Sequence, residues 1–292
     1  MRLLLIGGNG QLGWELQRTL TTLGELTCLD FPKVDLADAA GLREVIRASN
    51  PNLIVNAAAY TKVDEAESEP ELAFKVNGLA PAIMAEEARR LKAALIHYST
   101  DYVFDGQKGT DYVESDQPHP LNVYGESKCE GEHRVLAEEG ACLVLRTSWV
   151  YSLRPGGFVT RVLQWARQQQ TLRIVEDQVG SPTWARMLAE ATTQVIAQGR
   201  SDPIGYISQH TGLYHLAGAG STSRYEWALR ILELDPHPEQ QSVKAVLPVK
   251  TSEFPTPAIR PMQTGLAVQK FEAAFGLKIP AWQDSLRLLM SW

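Results

Sequence analysis

The chain is poor in cysteine, with Cys28, Cys129 and Cys142 in 292 residues and no CxxC or Cys/His spacing among them. That excludes a disulfide framework and a zinc site, and leaves reduced thiols in a cytoplasm as the expectation. Long apolar runs are also missing. The N-terminal run Met1-Arg2-Leu3-Leu4-Leu5-Ile6 stops at Gly7, too short for a signal peptide, and no later run approaches the ~20 residues of a membrane helix. There is no basic excess. Lys and Arg number 28 against 34 Asp and Glu, a net charge of −6, and they are scattered. A binder of the nucleic-acid backbone is therefore not expected, although a small phosphorylated ligand held by one or two arginines is compatible. Repeats and low-complexity tracts are absent. What is present is 44% hydrophobic and 21% charged residues, enough for a real core and for one large domain or two fused ones.

Leu3-Leu4-Leu5-Ile6 reads as a strand buried on both faces. It runs into Gly7-Gly8-Asn9-Gly10-Gln11-Leu12-Gly13, a G-x-x-G-x-x-G variant of the dinucleotide fingerprint, with a helix next in the chain. Glycines there allow a tight turn and close approach of a pyrophosphate to a helix N-terminus. A second strand, Leu26–Leu29, ends at Asp30, placed either to accept from an adenosine ribose, which favours NAD, or to serve as a turn residue. Asp35-Leu36 is a candidate adenine contact. The strand Leu53–Asn56 leads into the small residues Ala57-Ala58-Ala59, then Tyr60-Thr61, where backbone can approach a cofactor closely. Asp64–Glu71 reads as a solvated loop and helix start, and Pro81–Leu91 as a helix. The strand Ala93–Tyr98 ends in Ser99-Thr100-Asp101, and Cys142–Arg146 ends in Thr147-Ser148-Trp149. Ser99-Thr100-Asp101 equally suits a turn cap.

Five stretches thus fall at C-terminal ends of strands, the rim where an open parallel sheet binds ligands. Near that rim Pro118–Asn122 resists helix, so a helix starts after it and carries Tyr124 and Lys128. Residues four apart share a helix face. A phenol has a pKa of ~10, and a nearby ammonium lowers it, so the pair can form an acid–base group. The alternative is a half-exposed tyrosine beside a solvated lysine.

The expected fold class is α/β: a doubly wound parallel Rossmann sheet with a smaller, mainly C-terminal α+β substrate-binding domain. The first would take residues 1–150 plus roughly 184–217, the second roughly 151–183 and 218–292. Trp165, Trp184, Trp227, Trp282 and Trp292 read as packing residues, His97 and His215 as core.

The glycine motif, Ser99-Thr100 and Tyr124-xxx-Lys128 together resemble the extended short-chain dehydrogenase/reductase family. Longer stretches resemble the dTDP-4-dehydrorhamnose reductases within it: Gly10–Leu16, Val55–Asp64, His97–Phe104, Pro120–Gly125, Leu145–Tyr151 and Pro255–Pro257. The resemblance spans nearly the whole chain. It implies reduction of the C4 ketone of dTDP-4-dehydro-6-deoxy-L-mannose to dTDP-L-rhamnose by NADPH or NADH. On it, Tyr124 donates the proton, Lys128 holds the nicotinamide ribose and lowers the Tyr124 pKa, and Thr100 binds the reacting oxygen. Gly7, Gly10, Gln11, Leu12, Gly13, Asp30, Asp35, Leu36, Ala59, Tyr60 and Thr61 would contact the cofactor. Thr100, Asp101, Trp149 and Val63 would line the sugar site, with Arg260 at the diphosphate. Some members form a Mg²⁺-bridged dimer. Glu15 suits that role, but Arg186 stands where an acid is wanted and no carboxylate side chain lies near Trp292. A monomer or weak homodimer without metal is expected instead. Two rivals share the features: a reductase of another nucleotide-linked 4-keto-6-deoxy sugar, and a non-catalytic NADP-binding subunit like that of methionine adenosyltransferase.

Overall fold

The computed structural model describes residues 1–291; Trp292 lies outside the described residues. Six parallel strands form the central sheet, in the order Gly212–His215, Cys142–Thr147, Ala94–Thr100, Leu53–Asn56, Arg2–Ile6, Glu25–Leu29. Parallel strands need crossovers, and the crossover helices cover both faces. The continuous apolar runs arise in this way, because successive residues feed two different cores. Leu3 and Leu5 pack with the helices Gln11–Leu20 and Ala185–Gln198. Leu4 and Ile6 pack with Ala39–Ser49 and Ala80–Leu91.

The chain first moves outward from Arg2–Ile6 to Glu25–Leu29, then returns past it to Leu53–Asn56. Strand order therefore reverses beside the first strand, which is the topological switch point of a doubly wound sheet. The acidic stretch Asp64–Glu71, read as a solvated loop and helix start, falls across two short helices. Short helices run Val63–Ala66 and Pro70–Phe74, and a π-turn, Lys75–Leu79, leads into Ala80–Leu91.

A second layer comes after the fifth sheet strand. Helices Phe158–Gln168 and Arg224–Glu233 pack together, and Thr171–Val175 pairs in parallel with Ala245–Val249. The latter strand is not evident from sequence, because Pro248 in its middle argues against a strand interior. Its two-stranded sheet leaves an edge on which a proline is tolerated. Between these elements the chain returns to the main sheet, placing Ala185–Gln198 against Gln11–Leu20 and adding Gly212–His215 at the edge. Among the described residues no helix is long and apolar enough to cross a membrane.

One ion cluster clamps the second face. The fully buried Glu87 carboxylate accepts from Arg43 and Arg47 on the helix Ala39–Ser49 and from Arg90 on its own helix. The Arg47 guanidinium, backed by Arg90 and Arg43, holds the Glu87 carboxyl down to about 2, against the opposing effect of burial. A carboxyl depressed on folding stabilises the protein above its unfolded pKa of ~4.3 and loses that contribution as pH falls toward the folded value. Glu87→Gln is expected to lose on the order of 2 kcal/mol at neutral pH and to flatten the stability curve below about pH 4.5. Urea unfolding at several pH values measures both; an unchanged acid slope would place the pH dependence elsewhere.

Candidate active site

At the C-terminal edge of the sheet the glycine loop is shaped by contact. Gly7 has φ +91°, and a Cβ there would sit 2.5 Å from the Ala58 nitrogen. A Cβ on Gly13 would lie 1.9 Å from the Gly7 carbonyl oxygen. Gly10 differs: its nearest neighbour would be 3.6 Å away, and it begins Gln11–Leu20 without any side-chain cap. An uncapped helix start with room above it suits an anion. Beside it lies a slot of about 180 Å³, lined by Ile6, Asp30, Asp35, Leu36, Ala58 and Ala59. The Asp30 carboxylate accepts the Asn9 N–H at 2.7 Å and the Phe31 N–H at 2.8 Å, which fixes it at the slot. Leu12 turns its side chain into the core, so its backbone alone serves the loop. Gln11 reaches across to the Val150 carbonyl and the Ser152 hydroxyl. These features fit a dinucleotide: a cradle that a side chain would fill, an open helix start and a flat slot with an acid.

The opposite wall is Ala57–Thr61. Asn77 accepts the Tyr60 N–H at 2.8 Å, and its amide donates to the Tyr60 carbonyl at 3.1 Å and to Ser127 Oγ at 3.0 Å. Asn77 sits in the π-turn, a distortion that recurs at functional sites. Nothing in its spacing marks it, since a π-turn has no sequence signature. The Tyr60 hydroxyl donates to Glu69, and Thr61 is exposed.

The helix Val123–Ala137 starts where proline spacing placed it, capped by Asn122 accepting the Gly125 N–H at 2.8 Å. Tyr124 is half-buried beside Thr100 and meets the Tyr102 ring edge-on at 5.6 Å. Burial raises the phenol above its ordinary pKa, and the Thr100 hydroxyl opposes that shift. Lys128 makes its contacts on the neighbouring strand Ala94–Thr100. Its side chain is buried and donates to the Tyr98 carbonyl at 2.6 Å, with His97 Nε2 at 3.4 Å. Burial brings the Lys128 ammonium down to about 8.

Asp101 is likewise corrected. It was expected on the wall of the sugar site, yet it is 2% exposed and its oxygens accept three hydroxyls. Thr100 donates at 3.2 Å, Ser148 at 2.8 Å and Thr264 at 2.5 Å. It is a buried joint between the sheet rim and the second layer. Trp149 does stand at the rim, held at φ +44°, a backbone region that is costly for a bulky residue. Its ring lies against Gly180, where a Cβ would come within 2.5 Å, and Arg224 stacks 3.9 Å from its centroid.

Arg224 also lines a cavity of about 660 Å³, with Arg161, Arg173, Arg260, Phe158 and Trp165. Trp165 is thus a wall as well as a packing residue. Among the described residues Arg161 and Arg224 have no carboxylate within ion-pair distance, while Arg173 pairs with Glu253. Arg260 donates to Asp64 at 2.7 Å and keeps Nη1 buried without a partner. Asp64 also accepts the Ala258 N–H, and Asn122 donates to the Ile259 carbonyl, so this segment is pinned to both Val63–Ala66 and the Tyr124 helix. Val63, half-buried, opens that short helix. The cavity and the phenol are neighbours: Tyr102, touching Tyr124, feels the charges of Arg224 and Arg260.

Residues 1–291 match the family model described as RmlD substrate binding domain. The dTDP-4-dehydrorhamnose reductase of Burkholderia thailandensis is 38% identical over 292 residues, covering 99% of this chain and 97% of that one. The crystal structure of a dTDP-4-dehydrorhamnose reductase from Clostridium acetobutylicum superposes with a TM-score of 0.90 at 32% identity, over 100% of this chain and 99% of that one. A Bacillus anthracis enzyme of the same name, crystallised with NADP, gives 0.87 at 30% identity, over 99% and 98%.

The Tyr124 helix is fixed from behind by a buried pair, Glu132 accepting from Arg146 at 2.9 and 2.6 Å. Removing one partner leaves a bare buried charge. Arg146→Met is expected to cost about 3–5 kcal/mol in denaturant unfolding, while the double change with Glu132→Met costs much less. Equal losses in the single and double variants would show that the pairing itself carries no weight.

Proposed function

The chain belongs to the RmlD substrate binding domain family, and from that premise we propose that it reduces the C4 ketone of dTDP-4-dehydro-6-deoxy-L-mannose to dTDP-L-rhamnose with NADPH or NADH. The observation that carries this reading is the placing of Tyr124 beside Thr100, between the glycine cradle and an arginine-lined cavity. In this reading the pyrophosphate lies over Gly7, Gly10 and Gly13, met by the backbone of Gln11 and Leu12. Asp30, Asp35, Leu36 and Ala59 hold the adenosine, Tyr60 and Thr61 line the path onward, and Lys128 holds the nicotinamide ribose. The nicotinamide, when bound, supplies the hydride.

The protein supplies orientation and a proton. A phenol whose pKa is raised by burial keeps its proton at neutral pH, as a donor must. Tyr124 gives that proton to the substrate oxygen as it gains negative charge, and Thr100 then hydrogen-bonds the phenolate left behind. Trp149 and Val63 bound the sugar. Arg260, with Arg161 and Arg224, meets the diphosphate; two of the three have no carboxylate to neutralise them among the described residues. The residues 151–183 and 218–292 make up most of this binding layer.

The chain works in the cytoplasm as a monomer or weak homodimer without a bridging metal. Glu15 is paired with Arg18, and the position where a second acid would be wanted holds Arg186, a guanidinium paired with Glu190.

Tyr124→Phe is expected to bind either cofactor as the wild type does and to lose ~10²–10⁴-fold in kcat. The measurement is loss of NADPH or NADH absorbance with the keto sugar. Near-parental turnover in the variant would remove Tyr124 from its role. Silence of the wild type with both cofactors would point to a non-catalytic subunit, and turnover only with another 4-keto-6-deoxy sugar would change the substrate.

A further inference from the structure

A buried chain of polar groups runs under the site. The Ala58 N–H donates to Asn56 Oδ1 at 3.1 Å, which fixes the amide so that Nδ2 faces His97 Nδ1 at 3.0 Å. An amide nitrogen donates only, so His97 Nδ1 accepts. The remaining nitrogen, Nε2, must then carry the proton, because burial keeps the ring neutral. That Nε2–H points at Lys128 Nζ, 3.4 Å away, and Nζ in turn donates to the Tyr98 carbonyl at 2.6 Å. An ammonium has no lone pair to receive a donor, so a charged Lys128 would set N–H against N–H. A neutral amine can accept that N–H through its lone pair and still donate to the Tyr98 carbonyl. Asn56, His97 and Lys128 are all 2% exposed or less, so water cannot relieve the conflict.

We propose that His97 is a positioning residue for Lys128: locked by Asn56 with its proton on Nε2, it holds the lysine amine against the Tyr98 carbonyl and favours its neutral form in the cofactor-free protein. This deepens the reading of Lys128 as a ribose-binding residue and rests on it for its role in turnover. The other ionisable groups around Lys128 do not account for a neutral amine. Glu132, one turn along the helix, favours the ammonium, and it is already bound to Arg146 from the neighbouring strand. Tyr124, one turn earlier, sits beside Thr100, and Asp101 is enclosed by three hydroxyls. The charge state of Lys128 is therefore set by burial and by a histidine that never titrates near neutrality.

The test reads Lys128 directly, independently of any reductase activity. Lysine is labelled at ¹³Cε in the full-length protein, the Lys128 signal is assigned by its absence from Lys128→Met, and its shift is tracked with pH. His97→Gln keeps an N–H near the position of Nε2; His97→Met removes it. The expected result is that wild type and His97→Gln titrate together, while His97→Met titrates about one pH unit higher, the worth of one hydrogen bond to the neutral amine. Coincident titration of all three variants would overturn the proposal, as would a wild-type Lys128 that titrates at ~10.4 like an exposed lysine. If His97→Met does not fold, the ¹⁵N shifts of His97 in the wild type decide: a proton on Nε2 is required, and one on Nδ1 refutes it. A failed assay with the keto sugar would leave these readouts unaffected, so the two readings fail separately.

Discussion

A parallel sheet whose strand order reverses leaves a gap beside its first strand that no connection crosses. In this chain that crevice lies over the strand ends at Gly7 and Ala57, whose backbones are themselves in close contact. The crossovers on either side diverge, so the backbone there is exposed at its ends yet packed along its length. Gly7 and Gly13 are demanded by contact with neighbouring backbone, whereas a Cβ at Gly10 would make only an ordinary contact, 3.6 Å from the Gly7 carbonyl oxygen. That contrast separates glycines that build the loop from the one that leaves room above it.

The second layer is attached to this rim by few but directional bonds. Asp101 collects hydroxyls from Thr100, Ser148 and Thr264, one from its own strand end, one from the next, and one from the layer above. Burial raises its carboxyl pKa while the Thr264, Ser148 and Thr100 hydrogen bonds oppose that rise. Asp64 and Asn122 repeat the pattern at the segment carrying Arg260. Polar joints fix direction where apolar contact would tolerate sliding. The consequence is that the phenol, the stacked Trp149–Arg224 pair and the arginine-lined cavity keep a defined relation although they come from distant parts of the chain.

The sheet was legible because burial on both faces imprints runs such as Leu3–Ile6 and Leu53–Val55. The glycine loop and the site rim were legible because their spacing is dictated by backbone geometry. Other parts had no such imprint. Asn77 works through a π-turn and Asp64 through a partner 196 residues away. Ala245–Val249 hid behind a proline. The Tyr124 helix has no apolar stripe, since its buried positions include Gly125, Ser127, Lys128, Gly131 and Glu132; only the proline-rich lead-in and Asn122 betrayed its start. Asp101 was misread because a strand-end acid in a ligand-binding rim looks the same whether it faces a ligand or three hydroxyls.

That same helix carries Tyr124, Lys128 and Glu132 at steps of four residues, the first two meeting the strand Ala94–Thr100 and the third bonded to Arg146 on Cys142–Thr147. Close packing at Gly125 against the Tyr102 carbonyl and at Gly131 against the Asn77 carbonyl fixes its rotation. Each residue added to a helix rotates every later position by about 100°. An insertion or deletion between 124 and 132 would therefore misdirect the groups beyond it in one step, although Glu126, His133 and Arg134 face solvent and accept substitution freely. In evolutionary terms the segment is free to drift only at its exposed positions and is barred from changing length.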